Sequence, residues 1–225
     1  MDSVQNIINL KKQVPDSVKI VVVSKTQPVE EILKVYGTGH TLFGENRVQE
    51  LLLKKERLPS DIEWHFIGHL QTNKVKSILP HVTMIHSADS FRLISVINRE
   101  AEKLNLIVNC LIQFHIAREE TKSGFSIDEA GAMLQSPDFM KIKNIVFCGV
   151  MGMATLTDDL NLVRSEFRTL KEYFTILKEK YFSRNHQFRE ISMGMSGDYM
   201  IALEEGSTMI RVGTLIFGER KSKVK

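Results

Sequence analysis

Lys25 closes the β-branched run Ile20-Val21-Val22-Val23-Ser24. Near the other end of the chain stand two glycine-containing segments, Ser192-Met193-Gly194-Met195-Ser196-Gly197-Asp198 and Arg211-Val212-Gly213-Thr214. An ammonium at the inner end of a buried strand is costly to keep charged, so such a lysine tends toward the neutral amine, whose natural product with an aldehyde is an imine. Glycine lets the backbone approach an anion, and the free N–H groups of a helix start point positive charge at it. Together these residues offer condensation of an amine with an aldehyde that carries a phosphate. The plain alternatives are a lysine that snorkels its charge to solvent, and glycines that make tight turns while Ser196 or Asp198 caps a helix.

Arg211 narrows the choice. In Met209-Ile210-Arg211-Val212-Gly213 the strand alternation puts Arg211 on the face of Gly213, opposite Ile210 and Val212. If that face is the interior of the fold, the guanidinium needs a partner, because an unpaired buried charge is among the most expensive things a protein can hold. A pyridine nitrogen would serve. Arginine does not readily give up a proton, so it would keep that nitrogen unprotonated and make the ring a poor electron sink. A structural carboxylate is the alternative partner. Amine, phosphate cradle and arginine together are what pyridoxal 5'-phosphate (PLP) requires.

These groups need elements to carry them to one place. Short β-branched or aromatic runs near 20–24, 41–43, 63–67, 83–87, 107–114, 145–150, 189–192 and 209–213 alternate with helical patterns near 28–36, 46–57, 72–79, 89–104, 126–134, 158–181 and 198–205. An extra helix, roughly residues 2–13, precedes the first strand. The alternation predicts an α/β fold, a single (β/α)8 TIM barrel with that extra N-terminal helix. A doubly wound open sheet is the alternative, since periodicity alone does not exclude it. Two features favour closure. No Gly-x-Gly-x-x-Gly follows the first strand, and polar or glycine residues stand just after nearly every strand, which a barrel would gather around one mouth. The loops after strands seven and eight are the usual barrel phosphate site, and they carry Ser196, Gly213 and Thr214.

The chain has 225 residues, 43% of them hydrophobic, enough to bury one full core, and we read residues 1–225 as one domain. The net charge of +3 is mild, and basic residues cluster only in the tail, where 220–225 reads as a flexible, solvated end. No nucleic-acid partner is expected. Cys110 and Cys148 stand in apolar runs without metal spacing and read as free thiols in a reducing compartment. No apolar stretch has the length of a signal or a membrane span, so the expected location is cytoplasmic, with no membrane partner.

Several segments resemble a known family. Val22-Val23-Ser24-Lys25-Thr26-Gln27-Pro28, Phe43-Gly44-Glu45-Asn46, Trp64-His65-Phe66-Ile67-Gly68-His69-Leu70-Gln71-Thr72-Asn73-Lys74, Ser192-Met193-Gly194-Met195-Ser196 and Gly206-Ser207-Thr208-Met209-Ile210-Arg211-Val212-Gly213-Thr214 are similar to the YggS/PROSC type of pyridoxal phosphate homeostasis protein. The motifs run from the first strand to the last. The resemblance implies an alanine-racemase-like barrel of PLP fold type III, with the cofactor held as a Schiff base on Lys25. It further implies that Ser196, Gly213 and Thr214 bind the phosphate, that Arg211 faces the pyridine nitrogen, and that Asn46 and Met193 lie beside the cofactor. It implies a role in buffering or delivering PLP, with influence on amino-acid and keto-acid balance. Expected partners are PLP and, transiently, apo-PLP enzymes; a monomer is expected. Two departures touch the rim: Gln113 and His115 before the Lys122-Ser123-Gly124-Phe125 turn, and Arg47 where an aromatic residue is more usual.

Two enzymes compete with the carrier reading. A small PLP-dependent amino-acid racemase would need an acid/base on each face of the substrate carbon, and Lys25 supplies one. Tyr36, Tyr173, Tyr181 and Tyr199 all fall in predicted helices or their starts, so none is an obvious second base. A sugar-phosphate aldolase would instead form its imine with substrate on Lys25. His65 and His69 have the i, i+4 spacing of a helical metal pair, yet here the segment reads as strand then loop, which favours a structural or rim role for each.

Overall fold

The computed structural model describes residues 2–118 and 123–219. The tail assigned to 220–225 and Lys122 of the rim turn lie outside the described residues. Eight parallel strands close on themselves in chain order. They are β1 (Lys19–Val23), β2 (Leu42–Glu45), β3 (Glu63–Phe66), β4 (Met84–Ala88), β5 (Val108–Gln113), β6 (Ile145–Met151), β7 (Glu190–Ser192) and β8 (Met209–Val212). Closure is made by β1 and β8, which pair from Lys19 with Met209 to Val22 with Val212. A strand covered on both faces must be apolar on both, and the continuous run Val21-Val22-Val23 meets that demand.

The connecting helices are α2 (Val29–Tyr36), α3 (Val48–Lys55), α4 (Val75–Ile78), α5 (Phe91–Lys103), α6 (Ile127–Gln135), α7 (Leu160–Lys180), α8 (Tyr199–Glu204) and α9 (Thr214–Phe217), with α1 (Ser3–Gln13) in front. The helix expected over 72–79 is instead a four-residue α-helix between two 3-10 turns. Pro80, which cannot donate to a helical ladder, falls in the second of them. The short α9 was not anticipated and leaves the wall between α8 and α2 uncovered. The N-terminal helix supplies it: Asn6 Nδ2 donates to Ile216 O at 2.8 Å, and Tyr199 of α8 donates to Gln13 at 2.9 Å. The extra helix thus does the work of an eighth barrel helix.

Most of the core lies between the sheet and the helices. A smaller cluster fills the barrel interior: Val21, Met84, Leu111, Cys148, Met151 and Met209. Between β5 and β6 the register slips at Cys110/Leu111, so Cys148 is an extra residue, a bulge that turns Met151 inward.

Candidate functional site

Ser24 and Lys25 follow β1 directly, and the chain turns there, Gln27 N–H donating to Ser24 O at 3.0 Å. The turn puts Thr26 at φ 64°. A β-branched residue rarely adopts that left-handed conformation, at a cost of order 1–3 kcal/mol, so something must hold it. The hold comes from α3, where Glu50 Oε2 accepts the Thr26 N–H at 2.8 Å. Buried Lys54, one turn further along α3, donates to Ser24 O at 2.8 Å and Glu45 Oε1 at 2.6 Å. Ser24 Oγ donates to the same carboxylate oxygen at 2.7 Å. Burial pushes the Glu45 carboxyl upward against the pull of Lys54. The amine is therefore presented by a strained turn clamped from beneath by a buried ion pair. Lys54→Met will strand the Glu45 charge and the Ser24 carbonyl together, an expected loss of about 3 kcal/mol in urea unfolding. The double variant Lys54→Met/Glu45→Gln should recover part of it; no loss in the single variant would mean that the pair does not secure the turn.

Lys25 lines a cavity of about 460 Å³ at the mouth of the barrel, together with Asn46, Ser196, Arg211, Gly213 and Thr214. Six of the seven residues singled out in the sequence thus line one cavity. Met193 does not line it. It directly follows β7, and its fully buried side chain belongs to the cluster between sheet and helices. Strand alternation gives the reason: Ser192 points inward, so its neighbour points out.

The cradle is built from both of the loops identified in the sequence. Ser196 does not cap α8; its hydroxyl accepts N–H bonds from Gly213 and Leu215, each at 3.2 Å, tying the loop after β7 to the start of α9. Asp198, at the start of α8, accepts from Met195 N–H. A Cβ on Gly213 would lie 3.1 Å from Val23 O, so the glycine lets β8 pass tightly beside β1, where Lys25 emerges. Opposite, Gly68 presses on Asn46: a Cβ at Gly68 would stand 2.3 Å from Asn46 O. Asn46 Oδ1 is a buried acceptor with no partner among the described residues, in the wall of the cavity.

Arg211 is 4% exposed and reaches the cavity from below. The structural carboxylate weighed as its alternative partner is not there. Its guanidinium donates to Ser192 Oγ at 2.6 Å and to Gly152 O at 3.0 Å, and it makes no ion pair among the described residues. Behind it run contacts that the sequence reading missed: His86 Nδ1 lies 3.1 Å from Ser192 Oγ, and His86 Nε2 lies 2.9 Å from His65 Nδ1. Burial lowers the His65 imidazole to about 3 and holds His86 well below the ordinary histidine value. Strand parity could have found them, since each is a polar residue on an inward position of its strand.

His65 and His69 do not converge. His65 is interior, whereas His69 lines the mouth with Nδ1 3.0 Å from Asp89 Oδ2. Among the described residues no group of three or more potential metal ligands occurs. Gln113 lines the cavity and donates to Ser123 O at 2.7 Å, while exposed Arg47 does not line it and lies 3.7 Å from Glu50. None of the four tyrosines lines the cavity among the described residues.

The family described as alanine racemase, N-terminal domain, matches residues 3–221. Pyridoxal phosphate homeostasis proteins of Aquifex aeolicus and Synechocystis are 41% and 38% identical to the chain, over 90% and 92% of it and 87% and 93% of their own length. The chain belongs to the pyridoxal phosphate homeostasis protein family. Its human member is 35% identical over 90% of this chain and 76% of its own length. Among solved members, PipY of Synechococcus elongatus with PLP bound superposes with a TM-score of 0.88 at 32% identity, covering 96% of this chain and 100% of that one. Alanine racemase of Clostridium difficile shares the fold alone, at a TM-score of 0.72 and 14% identity over 99% of this chain and 57% of its own.

Proposed function

We propose that this chain binds PLP as a Schiff base on Lys25 and serves intracellular PLP homeostasis, buffering the cofactor and delivering it to apo-enzymes. One observation carries the reading: Lys25, the Ser196/Gly213/Thr214 cradle and Arg211, which makes no ion pair among the described residues, line a single cavity. The donor set fits the group. Thr214 and the loops joined through Ser196 would hold the phosphate, Arg211 would donate to the ring nitrogen, and the orphaned Asn46 Oδ1 stands ready for a donor. When bound, PLP supplies an electrophilic aldehyde. The chain's own part is retention: the clamp under Ser24 fixes where Lys25 Nζ can reach, and Arg211, a donor only, keeps a proton off the acceptor it faces.

The pyridoxal phosphate homeostasis proteins among its relatives and the PLP bound in PipY support the same reading. So does the cavity wall, which among the described residues carries no tyrosine that could serve as a second acid/base. A cytoplasmic monomer is part of the proposal. Cys110 and Cys148 are free and buried, as suits a reducing compartment, and no helix among the described residues is long and apolar enough to cross a membrane.

The visible spectrum tests the proposal. Protein loaded with PLP should absorb as an imine, lose that band on borohydride treatment, and carry the reduced adduct on Lys25; Lys25→Ala should carry none. Equal covalent loading of the variant would overturn the assignment. Solvent deuterium entering the α-carbon of amino acids at an enzymatic rate would favour a racemase over a carrier.

A further inference from the structure

Arg211 poses an electrostatic problem that its immediate contacts do not solve. A fully buried guanidinium is held by one hydroxyl and one carbonyl, and burial pulls it down to about 10. Such a cation ordinarily needs a carboxylate in contact, whereas Asp198 acts on it only through space, without an ion pair among the described residues. Behind it lie Ser192, His86 and His65 in a line, with the Lys19–Glu190 pair, bonded at 2.6 Å, further along the interior.

The line has a direction. Arginine only donates, so Ser192 Oγ accepts from it, and the serine's own hydrogen must go elsewhere. Its one other partner among the described residues is His86 Nδ1. A buried hydroxyl hydrogen without an acceptor costs about 1–3 kcal/mol, so Ser192 donates there and Nδ1 is unprotonated. His86 then carries its proton on Nε2 and donates to His65 Nδ1, which leaves the His65 proton on its own Nε2. Reversing every bond would orphan the serine hydrogen beside a cation. In the favoured sense each dipole turns its negative end toward the guanidinium, and the bonds polarise one another.

We propose that Ser192, His86 and His65 form a one-way dipole chain that takes the place of a contacting counter-ion and positions Arg211 as a donor at the cavity floor. This rests on the PLP reading for what Arg211 meets, but the chain itself is a property of the empty protein. His86 and His65 are positioning residues that act through Ser192 and Arg211.

Two measurements test it. In apo-protein, nitrogen NMR of the histidines should show Nδ1 unprotonated and Nε2 protonated in both His65 and His86. An Nδ1-protonated His86 would overturn the chain whatever the fate of the cofactor proposal. In protein loaded with PLP, His86→Leu should shift the imine absorption band and speed PLP dissociation about tenfold, the worth of about one hydrogen bond. His86→Asn, whose Oδ1 stands near where Nδ1 was, should behave like wild type. A merely space-filling histidine would be replaced as well by leucine as by asparagine, so equal behaviour of the two folded variants would overturn the chain. A wild type that never forms an imine would instead sink the PLP reading, with the apo-protein measurement still deciding the chain.

Discussion

Between pH 7 and pH 5 the protein is expected to lose about 5 kcal/mol of unfolding free energy. Three buried imidazoles set this. Burial lowers His40 to about 4 and His65 to about 3, and holds His86 well below 6.5. In the unfolded chain all three bind protons as pH falls through about 6.5, whereas in the native protein they stay neutral until much lower. The unfolded state therefore gains protons that the native state refuses, and stability falls with pH across the window between the unfolded and folded values. Each group contributes about 1.4 kcal/mol per pH unit once protonated in the unfolded chain. Glu45 acts in the opposite sense, because its raised carboxyl takes up a proton in the folded protein first, but it is one group against three. Against a typical stability of about 5–15 kcal/mol, the loss is enough to bring acid unfolding close to pH 5. Urea unfolding at pH 7, 6 and 5 measures it. A flat free energy across that range would mean that these imidazoles are already charged or open to water.

Gly149→Ala is expected to destabilise the barrel by about 4 kcal/mol or more. Gly149 pairs with Glu190 across β6 and β7 at φ 152°, and a Cβ there would lie 1.8 Å from Glu190 O. No real Cβ tolerates that, and the obstacle is strand backbone, which cannot rotate away. The two strands would have to part, loosening the pairs Val150 with Ile191 and Met151 with Ser192. Ser192 is the acceptor of Arg211, so the damage should reach the cavity as well. Denaturant midpoints of the two proteins check the stability. A variant within about 1 kcal/mol of wild type would show that the strands have slack that this close approach denies.

The strands and the main cavity wall were legible because both follow local rules. Buried parallel strands must be runs of apolar residues, and loops after strands must gather at one mouth once the sheet closes. That logic reached Lys25, Ser196, Arg211, Gly213 and Thr214. It reached Asn46 through family resemblance, and it misjudged Met193, for which a shared motif says nothing about which way a side chain points. The Lys54–Glu45 clamp and the His86–His65 line were not legible, because each joins residues on different elements through side-chain geometry. A lysine on an amphipathic helix reads as solvent-facing, and only the packing of α3 against the turn after β1 turns Lys54 inward. The short α9 was missed for a related reason: four residues carry too little periodicity to register.

The seam where β1 meets β8 has a consequence for biosynthesis. During translation Lys25 leaves the ribosome long before Gly213, Thr214 and Arg211, and its own strand lacks one neighbour until β8 arrives. A nascent chain that has not reached β8 thus holds Lys25 without Arg211, Gly213 and Thr214 beside it. Closure of the barrel around Lys25 therefore waits on β8, the last strand to be made.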